Sequence, residues 1–225
     1  MNHDLQGMEP QIRWLGLADY RETWLAMRAF TERRQLSDAD EIWLLEHPPV
    51  YTMGFNAKHP APDDTRGIEA IRTDRGGDIT YHGPGQIVAY VLVDLRRRSL
   101  GPKGLVRRLE QAVIDLLRHY GIDGIRREGA PGVYVGLKKI AQLGLRIRRG
   151  SSYHGLSLNV DMDLEPFRRI HPCGYPDLEV TQLADLIPGL GLPEVGSELV
   201  DALRRNMGYN QTKHTAPRNI DNESR

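Results

Sequence analysis

Three short stretches hold the residues whose types could do chemistry. The first is His171-Pro172-Cys173-Gly174-Tyr175-Pro176, which contains the one cysteine of the chain. Reactive groups are commonly carried on loops over a rigid scaffold, and a thiol deprotonated there would be a nucleophile. Packing offers another reading, because a free cysteine usually behaves as a small hydrophobe. The second stretch is Lys138–Arg149. Leu143, Leu145 and Ile147 alternate there with Gly144, Arg146 and Arg148, the pattern of a strand with one buried and one basic face. Lys139 begins that strand, where its ammonium could point into a pocket or simply decorate the surface. The third is Arg75-Gly-Gly-Asp-Ile-Thr-Tyr-His-Gly-Pro-Gly85. Its glycines let backbone N–H groups approach a ligand closely, although tight hairpin turns would use them too. The segment lacks the lysine followed by Ser or Thr of a phosphate-binding loop, and the G-x-G-x-x-G dinucleotide spacing. Arg75, Tyr81 and His82 favour a wall that touches a ligand. His82 and His154 read as pocket or supporting groups, and His171 beside a lone cysteine does not make a zinc spacing.

The elements that would position these residues can be read from periodicity. Gln11–Leu17, Glu41–Glu46, Val50–Met53, Gly85–Leu95, Gly132–Gly136, Ile140–Arg148 and Ser152–Val160 are predicted strands. Helices are predicted over Tyr20–Arg34, Pro102–Tyr120 and Pro193–Met207, each with an apolar stripe. The strands come in groups and do not alternate strictly with helices, which points to an α+β fold with a mixed β-sheet flanked by helices. One domain over 1–208 is expected, followed by a polar, disordered tail over 209–225.

Composition narrows the function. The 225 residues carry 30 Lys+Arg and 30 Asp+Glu, so no overall field argues for nucleic acid or an anionic membrane. A single cysteine suits a reducing cytosol. Neither a signal peptide nor a spanning apolar run is seen, so a cytoplasmic, membrane-free protein is expected.

Taken together, RGGDITYHGPGQ at Arg75–Gln86, Gly132–Gly136, KIAQLGLRIRRGSSYHG at Lys139–Gly155, Leu158-Asn159-Val160-Asp161 and Pro172-Cys173-Gly174 resemble the lipoyl(octanoyl) transferase family. The resemblance spans roughly residues 10–205 and implies the catalytic fold of biotin and lipoate protein ligases. It implies Cys173 as acyl-thioester nucleophile and Lys139 as its partner. It also implies an acyl pocket lined by Arg75, Gly76, Gly77, Asp78, Ile79, Thr80, Tyr81 and His82, by Gln142, Leu143 and Gly144, and by Gly155, Leu156 and Ser157. The implied donor is octanoyl-acyl-carrier protein, with the acyl group on its phosphopantetheine arm. The implied acceptors are lipoyl domains of 2-oxoacid dehydrogenase E2 subunits and the glycine cleavage H protein. Neither ATP nor a metal cofactor is implied. An acidic carrier would suit the basic residues Arg146, Arg148 and Arg149. An ATP-dependent lipoate or biotin ligase of the same fold, and a non-catalytic module that binds lipoyl domains, are the competing expectations.

Overall fold

The computed structural model describes residues 8–58, 60–62, 64–170 and 178–209. Among the described residues ten strands form two sheets. The larger contains β1 (Gln11–Leu17), β2 (Glu41–Glu46), β6 (Gln86–Leu92), β7 (Gly124–Ile125), β8 (Gly132–Val135), β9 (Lys138–Arg148) and β10 (Ser151–Asn159). Its spatial order is β1-β2-β6-β10-β9-β8-β7. β1 and β2 run parallel and every other neighbouring pair antiparallel, so the sheet is mixed as expected. A smaller sheet sets β3 (Val50–Met53) between β4 (Glu69–Arg72) and β5 (Ile79–His82).

Period-two alternation gives the large sheet two different faces. On one, Ile42, Leu44, Ile87, Ala89 and Val91 pack against α2 (Pro102–His119) and α3 (Leu192–Met207). Leu105, Leu109, Val113 and Leu117 of α2 are completely buried there, each side chain contributing about 1.5–3 kcal/mol on leaving water. On the other face, Trp43, Leu45, Val88, Tyr90 and Leu92 meet Met27 and Phe30 of α1 (Tyr20–Arg33). Local chemistry bounds the helices. The Asp19 carboxylate accepts from Glu22 N at 3.0 Å to cap α1, Pro102 occupies the first helical position of α2, and Gly208 at φ 77° ends α3.

The predicted elements differ from the observed ones mainly where strands are short. β4 buries only Ile71 fully, and β7 has two residues, too few for a period to register. β5 lies inside the glycine-rich segment Arg75–Gly85, which is not among the predicted strands. Tyr209, expected to open the polar tail, is buried, and its hydroxyl donates to Asp40 Oδ2 at 2.7 Å. Residues 210–225 lie outside the described residues.

Candidate active site

The strand register builds one wall of a small slot directly. Tyr90, Gly155 and Gly144 stand opposite one another across β6, β10 and β9, and Val88, Ser157 and Gln142 form the next row. Residues opposite in antiparallel strands share a face, so all six line the slot together. Ser157 Oγ donates to Gln142 Oε1 at 2.9 Å, which joins two of them across the row. Thr80 and His82 of β5 and Tyr20 of α1 complete the lining with Asp78 and Gly77. Gly77 has φ 85°, in the left-handed region that favours glycine. The loop before β5 is fixed by Arg75, whose guanidinium is buried. It donates to Thr52 Oγ1 at 2.9–3.0 Å, to the Thr52 carbonyl, and to the Gly76 carbonyl at 2.9 Å. Gly76 N in turn donates to the Leu145 carbonyl of β9 at 2.8 Å, tying the loop to the slot wall.

Behind the lining residues Tyr20, His82 and Tyr90 lies a cluster of buried polar side chains. His47 Nδ1–H donates to the Ala18 carbonyl at 2.6 Å, and the Tyr90 hydroxyl donates to His47 Nε2 at 2.7 Å. Burial depresses the His47 pKa to about 4. His82 lies 2.7 Å from Gln86 Oε1 through Nδ1 and packs over Tyr20; burial and then the nearby His47 depress it to about 3. His154 sits at φ 60° within β10, a conformation costly for a residue with a Cβ. Adjacent strand residues normally point to opposite faces. Here Tyr153 and His154 both reach Asp74, through a short Tyr153 hydroxyl bond and through His154 Nε2 at 3.1 Å. Burial lowers the His154 pKa despite the carboxylate. Desolvation would raise the Asp74 pKa, but hydrogen bonds from His154, Tyr153 and Trp24 outweigh it and hold the carboxyl below its usual range.

Lys139 is fully buried, against the simple expectation for a lysine at a strand start. A β-bulge explains its direction. The β8–β9 register shifts between Val133 and Tyr134, so Ile140 and Ala141 both enter the core on the α2 side and the preceding residue, Lys139, is re-aimed. Lys139 Nζ donates to the Pro131 carbonyl at 2.8 Å and lies 5.3 Å from the centre of the Tyr134 ring. Gly132 closes the cage: at φ 141°, a Cβ there would sit 2.3 Å from Lys139 Cε. Glu110 of α2 holds that loop, accepting from Gly132 N at 3.1 Å and from Arg126 Nε at 3.0 Å. On its other side Lys139 pairs with the segment that follows residues 171–177. Lys139 N donates to the Glu179 carbonyl at 2.8 Å, and Thr181 N to the Lys139 carbonyl at 2.9 Å. A relay of side chains then returns to the slot, from Thr181 O through Asn159 and Gln86 to His82, each step 2.7–2.9 Å.

Of the residues implied for the pocket, Arg75, Gly77, Asp78, Ile79, Thr80 and His82 line the slot. Gln142, Leu143 and Gly144 of β9 and Gly155, Leu156 and Ser157 of β10 line it as well. Two differ. Tyr81 faces away, because β5 alternation that turns Thr80 and His82 inward sends it against Tyr51 and Phe167. Gly76 lines a neighbouring groove, not the slot. Arg75 lines the slot, but its donors are engaged with Thr52 and Gly76. Cys173, with His171 and the rest of 171–177, lies outside the described residues. Sequence reading passed over Tyr20, His47, Asp74 and Tyr90. The one signal for Tyr90 was a hydroxyl in an otherwise apolar strand.

The mixed sheet flanked by helices matches a known architecture. The lipoyl protein ligase A/B catalytic domain family matches residues 19–204, and the chain belongs to it. Its fold is shared with lipoate-protein ligase A bound with ATP (TM-score 0.75, 19% identity, covering 94% of this chain and 90% of that one). A biotin protein ligase from Aquifex aeolicus is more distant (TM-score 0.55, 14% identity, 89% and 70%). Within the family the chain is a member of the octanoyltransferases, which are acyltransferases. It is 52% identical to an octanoyltransferase of Stutzerimonas stutzeri over 96% of both chains. It is 57% identical to one of Alkalilimnicola ehrlichii over 78% of this chain and 82% of that one. Among the described residues no helix is long and apolar enough to cross a membrane.

Proposed function

We propose that this octanoyltransferase takes an octanoyl group from the phosphopantetheine thioester of an acyl-carrier protein, holds it on Cys173, and delivers it to a lysine of a lipoyl domain. The observation that carries the reading is the buried Lys139, caged by Pro131 and Tyr134 and hydrogen-bonded through its backbone N–H to the Glu179 carbonyl. Glu179 lies six residues after Cys173 in the sequence, a reach of at most about 20 Å. An ammonium near a thiol favours the thiolate, and lowering a thiol pKa by about two units corresponds to roughly 2.7 kcal/mol.

In the first half-reaction the Cys173 thiolate attacks the thioester carbonyl. The bond from that carbon to the carrier's sulfur breaks, and the Lys139 ammonium protonates the departing thiolate. The octanoyl chain lies in the slot over Val88, Gly144 and Gly155, above neutral imidazoles. Each buried methylene gains about 0.8 kcal/mol, so eight carbons are held far better than two. In the second half-reaction the acceptor amine attacks the Cys173 thioester. Lys139, now neutral, accepts the amine's proton, an amide forms and the thiolate is restored. A thioester is converted to an amide downhill, so the reaction uses neither ATP nor a metal. Lipoyl domains of 2-oxoacid dehydrogenase E2 subunits and the glycine cleavage H protein are the acceptors, and the cytoplasm is the compartment.

Incubation with octanoyl-carrier protein in the absence of ATP tests this by intact mass. The account expects one octanoyl adduct, mapped to Cys173 and lost in Cys173→Ala. A Cys173→Ala enzyme with full activity, or a strict need for ATP, would overturn it and restore the ligase reading.

A further inference from the structure

The slot shares Gly77, Asp78, Leu143 and Gly144 with a second and much larger cavity, a groove of about 760 Å³. One wall of the groove is the Ala130–Pro131 segment, and the Pro131 carbonyl holds Lys139, so the groove reaches the lysine's cage. Its floor is apolar, formed by Val106 of α2 and by Leu145 and Ile147 of β9. At its outer edge stand Lys103 and Arg107, both exposed. They are four residues apart on α2 and therefore neighbours on one helix face, where like charges repel. Neither forms an ion pair among the described residues. Asp78 and Glu128 also lie on the wall, but the Asp78 carboxylate accepts from Ile79 N at 2.8 Å at the slot end.

The three arginines expected from sequence to meet an acidic carrier do not line this groove. Arg148 pairs with Glu32 at 3.2 Å, Arg149 donates to the Glu32 carbonyl at 3.2 Å, and Arg146 lies over the Phe55 ring. Their side chains brace the end of β9 against α1 and the loop after β3, whereas Lys103 and Arg107 border an open groove.

We infer that this groove receives the phosphopantetheine arm of the acyl donor, with Lys103 and Arg107 meeting its phosphate. The inference rests on the thioester reading above and adds where the donor lies. A ligand whose acyl end fills the slot continues past Gly77 and Gly144. An apolar channel suits the arm's dimethyl and methylene groups, and the cationic edge complements the phosphodiester that joins arm to carrier. The acceptor lysine has no phosphate, so only the first half-reaction depends on this edge.

The test is the rate of Cys173 acylation in the full-length enzyme and in a Lys103→Glu/Arg107→Glu variant. Two donors are compared: octanoyl-carrier protein, and octanoyl-N-acetylcysteamine, which ends before the phosphate. For the carrier, the variant should need roughly tenfold more donor and lose the wild-type salt dependence. Acylation by the short thioester should change less than twofold. Equal carrier dependence in both enzymes would overturn the assignment, as would an equal loss with both donors. Competition between ATP and the carrier that the same double substitution abolishes would assign the groove to a nucleotide instead. Failure of either donor to form a wild-type adduct would sink the thioester reading, and the groove's role with it.

Discussion

The two faces of the large sheet come from the same strands and differ in almost every other respect. Toward α2 and α3, alternate residues such as Ile42, Ala89, Val91 and Leu158 are aliphatic and fully enclosed. Toward α1 the intervening residues include Trp43, Tyr90 and Tyr153, followed by His154 and Gln142 where the sheet opens into the slot opposite His82 of β5. One face supplies stability and the other supplies shape, hydrogen-bond partners and neutral polar groups. Lys139 stands where the bulge in β9 breaks that division, its neighbours Ile140 and Ala141 in the aliphatic core and its own ammonium in the cage.

Substitutions can break this comparison at either face. The largest effect on chemistry is expected for Gly132→Ala. Its Cβ would fall 2.3 Å from Lys139 Cε and 2.6 Å from the Ala141 carbonyl. Displacing the ammonium by about an ångström should lower single-turnover acyl transfer on the order of 10²-fold. Leu109→Ala, on the aliphatic face, should lower unfolding stability by about 2–5 kcal/mol, while the folded fraction keeps its turnover. Urea denaturation with activity normalised to folded enzyme separates the two effects.

The pH dependence belongs to the slot face. His47 and His82 have folded-state pKa values of about 4 and about 3, below the unfolded value of about 6.5. The unfolded chain therefore binds protons first as pH falls. Stability from these neutral imidazoles is complete above about pH 6.5 and is lost between there and pH 4 or 3. His47→Gln should flatten the fall of the urea midpoint between pH 6.5 and 4; an unaltered curve would mean that His47 is not the group responsible. The smallest effect is expected for Tyr81→Phe. Its ring packs against Tyr51 and Phe167 outside the slot, so kcat/KM for octanoyl transfer should stay within about twofold of wild type, and stability within about 0.5 kcal/mol. A large change in acyl selectivity would return Tyr81 to the pocket.

Much of this division was legible in the sequence, because period two and period 3.6 separate strands from helices wherever an element is long. α2, with its stripe from Leu105 to Leu117, and the alternation of Leu143, Leu145 and Ile147 needed no structure to be seen. The glycine-rich segment was recognised as a wall, but β5 within it was hidden by flanking glycines, and with it the alternation that turns Tyr81 outward. His47, Tyr90 and Asp74 were missed because they come from different elements and meet only through tertiary contacts. Lys139 was singled out, yet nothing local announces a bulge, so its burial and its bond to Pro131 could not be read in advance. Lys103 and Arg107 carry no signal of their own in the sequence, and only the adjoining groove sets them apart from other exposed helix cations.

The pairing of Lys139 with Cys173 is the claim on which the rest depends. Alkylation of Cys173 by iodoacetamide across a range of pH, in wild type and in Lys139→Ala, tests it most directly. The account predicts a wild-type midpoint well below the ordinary thiol value of about 8.5 and a return toward that value when the ammonium is removed. Superimposable profiles in the two enzymes would contradict it.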